Sequence, residues 1–292
     1  MKLWTLLWRV DLTEKFVLQK FLCTFLQCSR EELRTNTDQE LSDEIIQKVL
    51  TAYKSYVEDR KPIEYILGHV DFFWKEFFVN EATLIPRPET EYMITSATEF
   101  INSEFRIQNA EKKNNLLLDI GTWCWVLWIS VLLQNPTYFA HAIFSDYFAD
   151  ALEIAKRNYQ KLITDFSWKV DFFQSDLLDF LNDGTMERLD NKNIVLVANL
   201  PYIPEETFEA NVSDNVKKRE PKPAFVWWDD GLDYYRIMLD QLIELHPKNL
   251  VMFLEMMTWQ VDILRQLYDD KFIFEEVKTF HFNIRIVKAW LK

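Results

Sequence analysis

From about residue 92 to the C-terminus, short and almost wholly apolar runs alternate with stretches whose apolar residues recur at helical spacing. That alternation leaves few folds open. The runs at 116–120, 139–146, 169–174, 194–198 and 250–255 read as buried strands, and 272–278 and 283–288 finish the chain as two more. Between them, 150–160 (with Ala151, Leu152, Ile154 and Ala155 facing inward), 232–245 and 261–268 read as helices. Strands joined through helices lie parallel, and a parallel sheet needs cover on both faces. The expected fold is α/β: a doubly wound, Rossmann-like sheet with its ligand at the carboxyl ends of the strands.

Residues 1 to about 60 differ. They hold almost no Gly or Pro, and their apolar residues follow helical spacing: Leu3, Leu6, Leu7 and Val10, then Phe16, Leu18, Phe21, Leu22 and Phe25, then Leu41, Ile45, Val49, Ala52 and Tyr56. Polar breaks at 29–32 and 35–38 look like caps, and Ser42 is a candidate N-cap. A small helical domain is expected over 1–62, serving either as a packing or dimer surface or as a partner-recognition module. Residues 63–91 read as a connector, with short strands at 72–73, 77–79 and 84–85 and a rigid turn at Pro86-Arg87-Pro88. A catalytic domain would follow over 92–292.

Charge and composition exclude several classes. A net charge of −13 argues against a protein held on nucleic acid by a broad basic face. Cys23, Cys28 and Cys124 are too few and too unevenly spaced for a disulfide framework or a zinc site, so a cytoplasmic chain with reduced thiols is expected. His69, His141, His246 and His281 form no ligand cluster, and no metal is expected. No signal peptide is evident, because Arg9 and Asp11 interrupt the first apolar run. The most membrane-like window, 116–133, carries Asp119 and is not read as a span.

Two stretches carry chemistry. The first is Asp119-Ile120-Gly121-Thr122-Trp123-Cys124-Trp125, at the end of the first strand of the alternating region. An acidic strand end followed by Gly-Thr is where nucleotide-like cofactors lie against backbone, and close approach there calls for glycine. Trp123 and Trp125 stand in those places; with glycine at both, the loop matches that of methyltransferases using S-adenosylmethionine. Asp146, ending the second strand, is placed to accept ribose hydroxyls, and Asp176, after the third, suits the adenine end. The second stretch is Asn199-Leu200-Pro201-Tyr202, at the end of the fourth strand. An amide or exocyclic amine is a poor nucleophile because its lone pair is delocalised. The Asn199 side-chain oxygen and the Leu200 carbonyl can accept its two N–H groups, Pro201 biases Leu200 towards extended geometry, and Tyr202 offers a ring face to a planar group.

With these stand Glu64-Tyr-Ile-Leu-Gly-His-Val-Asp-Phe-Phe-Trp-Lys-Glu-Phe-Phe-Val79 and Leu84-Ile-Pro-Arg-Pro-Glu-Thr-Glu91. Over essentially its whole length the chain resembles the HemK/PrmC family, protein-(glutamine-N5) methyltransferases of peptide chain release factors. Further matches are Glu220-Pro221, Asp230-Gly231-Leu232 with Tyr235, and Phe253-Leu254-Glu255 with Gln260. The resemblance implies a SAM-dependent methyltransferase domain behind an N-terminal helical domain that binds a class I release factor, and methylation of the Gln of a Gly-Gly-Gln tripeptide in translation termination. By match, Asn199, Leu200, Pro201 and Tyr202 would hold that Gln. Asp119, Gly121, Thr122, Asp146, Asp176 and Asn199, with the residues at 123 and 125, would hold S-adenosylmethionine, and Arg87, Thr90 and Glu91 would shape the pocket. The enzyme is expected to act as a monomer in the cytoplasm, without direct contact to nucleic acid or membrane.

The chain departs from the family in two ways. Leu200 replaces a proline, giving an Asn-Leu-Pro-Tyr that also resembles adenine-N6 methyltransferases of RNA. It also has 4 glycines and 11 tryptophans, where average usage of roughly 7% would give about 20 glycines. Trp74, Trp123, Trp125, Trp227, Trp228 and Trp259 all fall where the family has or tolerates glycine, and Trp128 and Trp168 invite the same question. A gene in which UGA encodes glycine, read here as tryptophan, accounts for the pattern and predicts weak or absent cofactor binding by the tryptophan form. The release factor reading UAA and UAG would then be the expected substrate. Two other readings are an adenine-N6 methyltransferase acting on RNA or DNA by base flipping, against which the charge counts, and a scaffold that has lost the cofactor.

Overall fold

The structure is a computed structural model and describes residues 12–36, 38–105, 115–123, 126–163, 168–181, 189, 192–226, 229–277 and 284–292. The first expected helical stretch (Leu3 to Val10), Trp125, Trp227 and Trp228 lie outside the described residues. The chain divides into two compact units, residues 1–69 and 70–292.

The first unit packs α1 (Leu12–Leu26), α2 (Arg30–Thr35), α3 (Asp43–Val57) and the short α4 (Ile63–Leu67). Its core is Leu18, Leu22, Leu33, Leu41 and Val49, with Val17, Phe21 and Ala52 forming a second cluster. The caps sit where the polar breaks placed them. The Ser29 hydroxyl accepts from the Glu32 amide at 3.1 Å while the Glu32 carboxylate accepts from the Ser29 amide at 2.7 Å, a reciprocal capping box. Ser42 accepts from the Ile45 amide at 3.3 Å and starts α3.

The second unit opens with a hairpin of β1 (His69–Phe72) and β2 (Lys75–Phe78), then α5 (Glu91–Phe100). There follow β3 (Asn115–Ile120), α6 (Val126–Gln134), β4 (His141–Asp146), α7 (Ala149–Leu162), β5 (Lys169–Gln174) and β6 (Asn193–Ala198). The chain ends with α8 (Glu205–Asn211), α9 (Asp214–Arg219), α10 (Asp233–Leu245), β7 (Asn249–Met257), α11 (Thr258–Tyr268), β8 (Phe272–Val277) and β9 (Ile284–Leu291). The sheet has seven strands in the order β5-β4-β3-β6-β7-β9-β8. All are parallel except β9, which runs antiparallel to both β7 and β8.

Every residue of β3 and β6 is buried, as central strands covered on both faces must be. From β3 the chain winds outward through β4 and β5 and returns to place β6 on the other side of β3. That reversal opens a crevice at the carboxyl ends of β3 and β6. The apolar window 116–133 is β3, the Gly121 turn and α6, and among the described residues no helix is long and apolar enough to cross a membrane.

One expected strand is absent. Leu84 and Ile85 pair with no strand; the Ile85 amide donates instead to the Glu220 carboxylate at 3.2 Å. Pro86 and Pro88 hold the segment extended but remove the amides that a ladder would need. The hairpin docks through Asn158 of α7, which accepts from the Phe78 amide at 2.6 Å and donates to its carbonyl at 3.0 Å.

Candidate active site

The tetrapeptide 199–202 leaves the end of β6 and is tied down by residues far away in sequence. The Leu200 amide donates to the Tyr235 hydroxyl at 3.3 Å, and that hydroxyl donates to the Glu255 carbonyl at 2.5 Å. The Tyr202 hydroxyl donates to the Glu255 carboxylate at 3.0 Å. The Gln260 side-chain amide donates to the carbonyls of Tyr202 and Asp230, both at 2.7 Å, and accepts from the Met257 amide at 2.8 Å. Gly231 sits with φ +71°, and a Cβ there would stand 2.2 Å from the Tyr202 carbonyl oxygen, so no other residue fits. Asn199 donates through Nδ2 to the buried Thr90 hydroxyl at 3.5 Å, which leaves Oδ1 as the acceptor.

Across the crevice, β3 carries Asp119 one residue before its end, and the chain turns at Gly121, whose φ is +69°. A Cβ on Gly121 would meet Leu200 Cδ2 at 2.6 Å, so this glycine lets the two halves of the crevice approach each other. Asp146 at the end of β4 accepts from the Trp123 and Phe148 amides, each at 2.8 Å. A small cavity is lined by Gly121, Trp123, Asp146, Asp176, Leu200 and Pro201, with Tyr147, Phe148, Ser175, Leu177, Pro223 and Tyr234 completing the wall. Six residues singled out from the sequence thus meet at one cavity.

The others lie around it. Asp119 and Thr122 are enclosed beneath the loop, and among the described residues neither the carboxylate oxygens nor the hydroxyl has a hydrogen-bond partner. Arg87 pairs with the buried Glu220 at 2.7 Å, its guanidinium 5.6 Å from the Phe225 ring centre, and so clasps the segment before α5 to the loop after α9. Glu91 faces away, accepting from the Phe73 amide at 3.1 Å and holding the hairpin tip. Trp125 lies outside the described residues.

Burial dominates the electrostatics. It pushes Asp119 up to about 8, with Thr122 opposing and the Asp146 charge adding to the shift. It lifts Asp146 to about 6 against the pull of the amides that bond it. Glu255 is raised to about 7, burial outweighing Tyr202 and Thr90, which favour its ionised form. Asp176 is raised by burial and by Asp179. Tyr202 is raised well above the ordinary phenol range by burial and by Glu255.

Glu255, Gln260, Gly231 and Tyr235 were matched to the family without being assigned to the site. One signal was available: Glu255, like Asp119 and Asp146, is an acid at the carboxyl end of an apolar strand.

Asp146, Asp176, Ser175 and the Gly121 backbone are a polar set suited to a ribose and a base, and the enclosed acids and cradle match a nucleoside cofactor. The room is not: the cavity holds about 40 Å³, against roughly 300–1,000 Å³ for typical ligand pockets. Trp123, 7% exposed, lines it, packed against Phe148 at 5.4 Å between ring centres and clustered with Phe208 and Phe225. Its φ is +46° and that of Trp74, 84% exposed at the hairpin tip, is +60°, in the region that favours glycine. Trp259 shows neither feature: it lies in α11, 42% exposed. Trp168 donates to the Pro136 carbonyl at 3.1 Å, and Trp128 is enclosed against Phe144.

No family model matches the chain. Among curated proteins, the release factor glutamine methyltransferase of Bacillus cereus is 34% identical over 251 residues, covering 86% of this chain and 82% of that one. The chain belongs to the release factor glutamine methyltransferase family. The enzyme of the same name from Bacillus subtilis is 34% identical over 218 residues, covering 73% of this chain and 70% of its own length. Among solved structures, the catalytic domain of hMettl16 in complex with a MAT2A 3'UTR hairpin superposes with a TM-score of 0.52 at 14% identity, over 85% of this chain and 82% of that one. At that identity the likeness concerns the fold, which is the methyltransferase fold.

Proposed function

We propose that this family member transfers a methyl group from S-adenosylmethionine to the side-chain amide nitrogen of a glutamine in a peptide chain release factor. The cofactor, when bound, supplies an electrophilic methyl group on a sulfonium. The chain's own residues do the rest by placement. Asn199 Oδ1 and the Leu200 carbonyl each accept one N–H of the amide, and the Tyr202 ring supports its plane. With both hydrogens held the amide plane is fixed, and with the Tyr202 ring on one face the nitrogen offers its lone pair from the other; holding it in line is where positioning contributes most of the rate. The N–C bond would form as the sulfur–methyl bond breaks, leaving a neutral thioether, and the methylated nitrogen would then release one of its two protons to water.

The observation that carries this reading is the tethering of 199–202 by Tyr235, Glu255, Gln260 and Gly231, all turned on a segment whose two acceptors suit a planar N–H₂ group. Family membership selects the glutamine amide over adenine. The Gly-Gly-Gln target, binding of the release factor by the first unit, and action as a cytoplasmic monomer belong to the same proposal. The working enzyme, on this proposal, carries glycine at 74 and 123, specified by UGA. The positive φ at both positions supports this, as does the cavity that the indole lines.

The test is transfer of labelled methyl from S-adenosylmethionine to a purified release factor, using the full chain with glycine at 74, 123, 125, 227, 228 and 259. Label on the glutamine peptide, lost with Asn199→Ala, is the expected result. Label on RNA alone would overturn the reading in favour of the adenine enzyme. For the recoding, peptide mass spectrometry of the native protein should find glycine at 74 and 123; tryptophan there would contradict it.

A further inference from the structure

Glu255 is a buried acid that no step above uses. It stands near the carboxyl end of β7, 2% exposed, on the strand beside β6, which ends just before Asn199. Oε1 accepts from the Tyr202 hydroxyl at 3.0 Å, while Oε2 is enclosed with no hydrogen-bond partner among the described residues. The Thr90 hydroxyl and the Asn199 amide lie beside the carboxylate and favour its ionised form. Asn199 in turn donates to Thr90 at 3.5 Å.

An asparagine amide can turn over about its last bond, exchanging oxygen and nitrogen with almost no change of shape. At Asn199 the two orientations are chemically opposite. With Oδ1 outward, the site offers an acceptor to a substrate N–H. With Nδ2 outward, it offers a donor that repels the same group. An ionised carboxylate is acceptor-only, so it attracts Nδ2 and repels Oδ1.

We propose that Glu255 is a positioning residue that fixes this choice, turning the Asn199 amide nitrogen inward and its oxygen towards the methyl-accepting nitrogen, while holding Tyr202 by its hydroxyl. The inference rests on the proposed function only for the identity of that acceptor.

The surroundings make the arrangement sensitive to pH. Facing Glu255 are Tyr202, Tyr235, which bonds its backbone carbonyl, and Glu89, whose charge raises its pKa. The cations of the neighbouring β9 are engaged elsewhere, Arg285 with Glu276 at 3.5 Å and Lys288 with Glu275 at 2.8 Å, and Glu91 of α5 bonds the Phe73 amide. Burial sets Glu255 at about 7. Below that pH the carboxyl gains a proton, becomes a donor as well, and no longer rejects Oδ1.

The test compares the full chain, with glycine at the six positions, against its Glu255→Gln variant, which keeps the shape but adds a donor. Turnover should fall about 10- to 100-fold, the scale of losing an orienting partner, with cofactor affinity unchanged. The parent's rate should climb as pH rises through about 7, and that climb should vanish in the variant. A second readout needs no turnover. The Asn199 side-chain amide proton signals, assigned by their loss in Asn199→Asp, should titrate near pH 7 in the parent and stay fixed in Glu255→Gln. A variant with the parent's turnover and pH profile would overturn the proposal, and so would parent amide signals indifferent to pH. If the parent methylates adenine and not glutamine, the proposed function fails, yet the same comparison on that amine still decides for Glu255. If it methylates neither, the amide titration decides alone.

Discussion

The two walls of the crevice are built on opposite plans. On the acceptor wall, the Asn199 Nδ2, the Leu200 amide and the Tyr202 hydroxyl and carbonyl are claimed by Thr90, Tyr235, Glu255 and Gln260, with Gly231 packed against the last, which leaves Asn199 Oδ1 and the Leu200 carbonyl for a substrate. On the cofactor wall the acids are in place, yet the side-chain oxygens of Asp119 and Thr122 have no hydrogen-bond partner among the described residues, and the indole of Trp123, a residue with positive φ, lines what space there is. One wall is pre-organised and the other is closed. On the proposed function, the segment that would hold the substrate amide is tethered, while the cavity that would take the cofactor is lined by an indole. The first depends on contacts across the sheet, the second on one loop needing glycine.

The sharpest way to break the comparison is on the acceptor wall. In the chain with glycine at the six positions, Asn199→Ala should cut methyl transfer by about 10²–10³-fold, the scale of removing one pre-organised hydrogen-bonding group. Cofactor affinity should fall far less than transfer, because Asn199 is only one of the residues expected to touch the cofactor; a matched loss of affinity in equilibrium dialysis would show that the two walls do not act separately. Next is Gly231→Ala. The methyl group would meet the Tyr202 carbonyl at 2.2 Å with φ at +71°. Strain and overpacking together should cost on the order of 3 kcal/mol in urea unfolding. An unchanged midpoint would mean that the Tyr202 segment is not held as described.

Tyr235→Phe is milder. It strands the Leu200 amide and the Glu255 carbonyl in a buried setting, which should cost about 1–3 kcal/mol, and turnover should fall with it. Stability equal to the parent's would remove Tyr235 from the tether.

The fourth effect is a slope with pH. Asp119 is held at about 8 in the folded chain, against about 3.9 in an unfolded one. The folded chain therefore binds the extra proton between those values, and its contribution to stability is full below about pH 4 and declines as pH rises towards 8. Asp119→Asn should flatten that decline in thermal unfolding measured across the window. A decline as steep as the parent's would mean that the acid is solvated.

Much of the fold was legible because burial writes itself into sequence. The strands of the sheet begin and end within a few residues of their apolar runs, and the acids at the ends of β3 and β4 marked the crevice. The capping residues Ser29 and Ser42 were equally local signals. Leu84 and Ile85 misled because an apolar pair looks like a strand, while the Ile85 amide is taken by the Glu220 carboxylate and the prolines that follow at 86 and 88 carry no amide to extend a ladder. The acceptor wall's support was not legible for a different reason. The bond from Tyr202 to Glu255 spans 53 residues, and no local pattern announces it. The tryptophans were conspicuous by number, but only backbone geometry separates Trp74 and Trp123 from Trp259.

The most direct measurement is S-adenosylmethionine affinity by equilibrium binding, in a background with glycine at 125, comparing tryptophan with Trp123→Gly. If the indole closes the cofactor wall, glycine at 123 should tighten binding by at least about tenfold, or 1.4 kcal/mol, and expose a site that the tryptophan form lacks. Equal affinities would mean that the indole does not obstruct the cofactor, and the contrast between an organised wall and a closed one would fall.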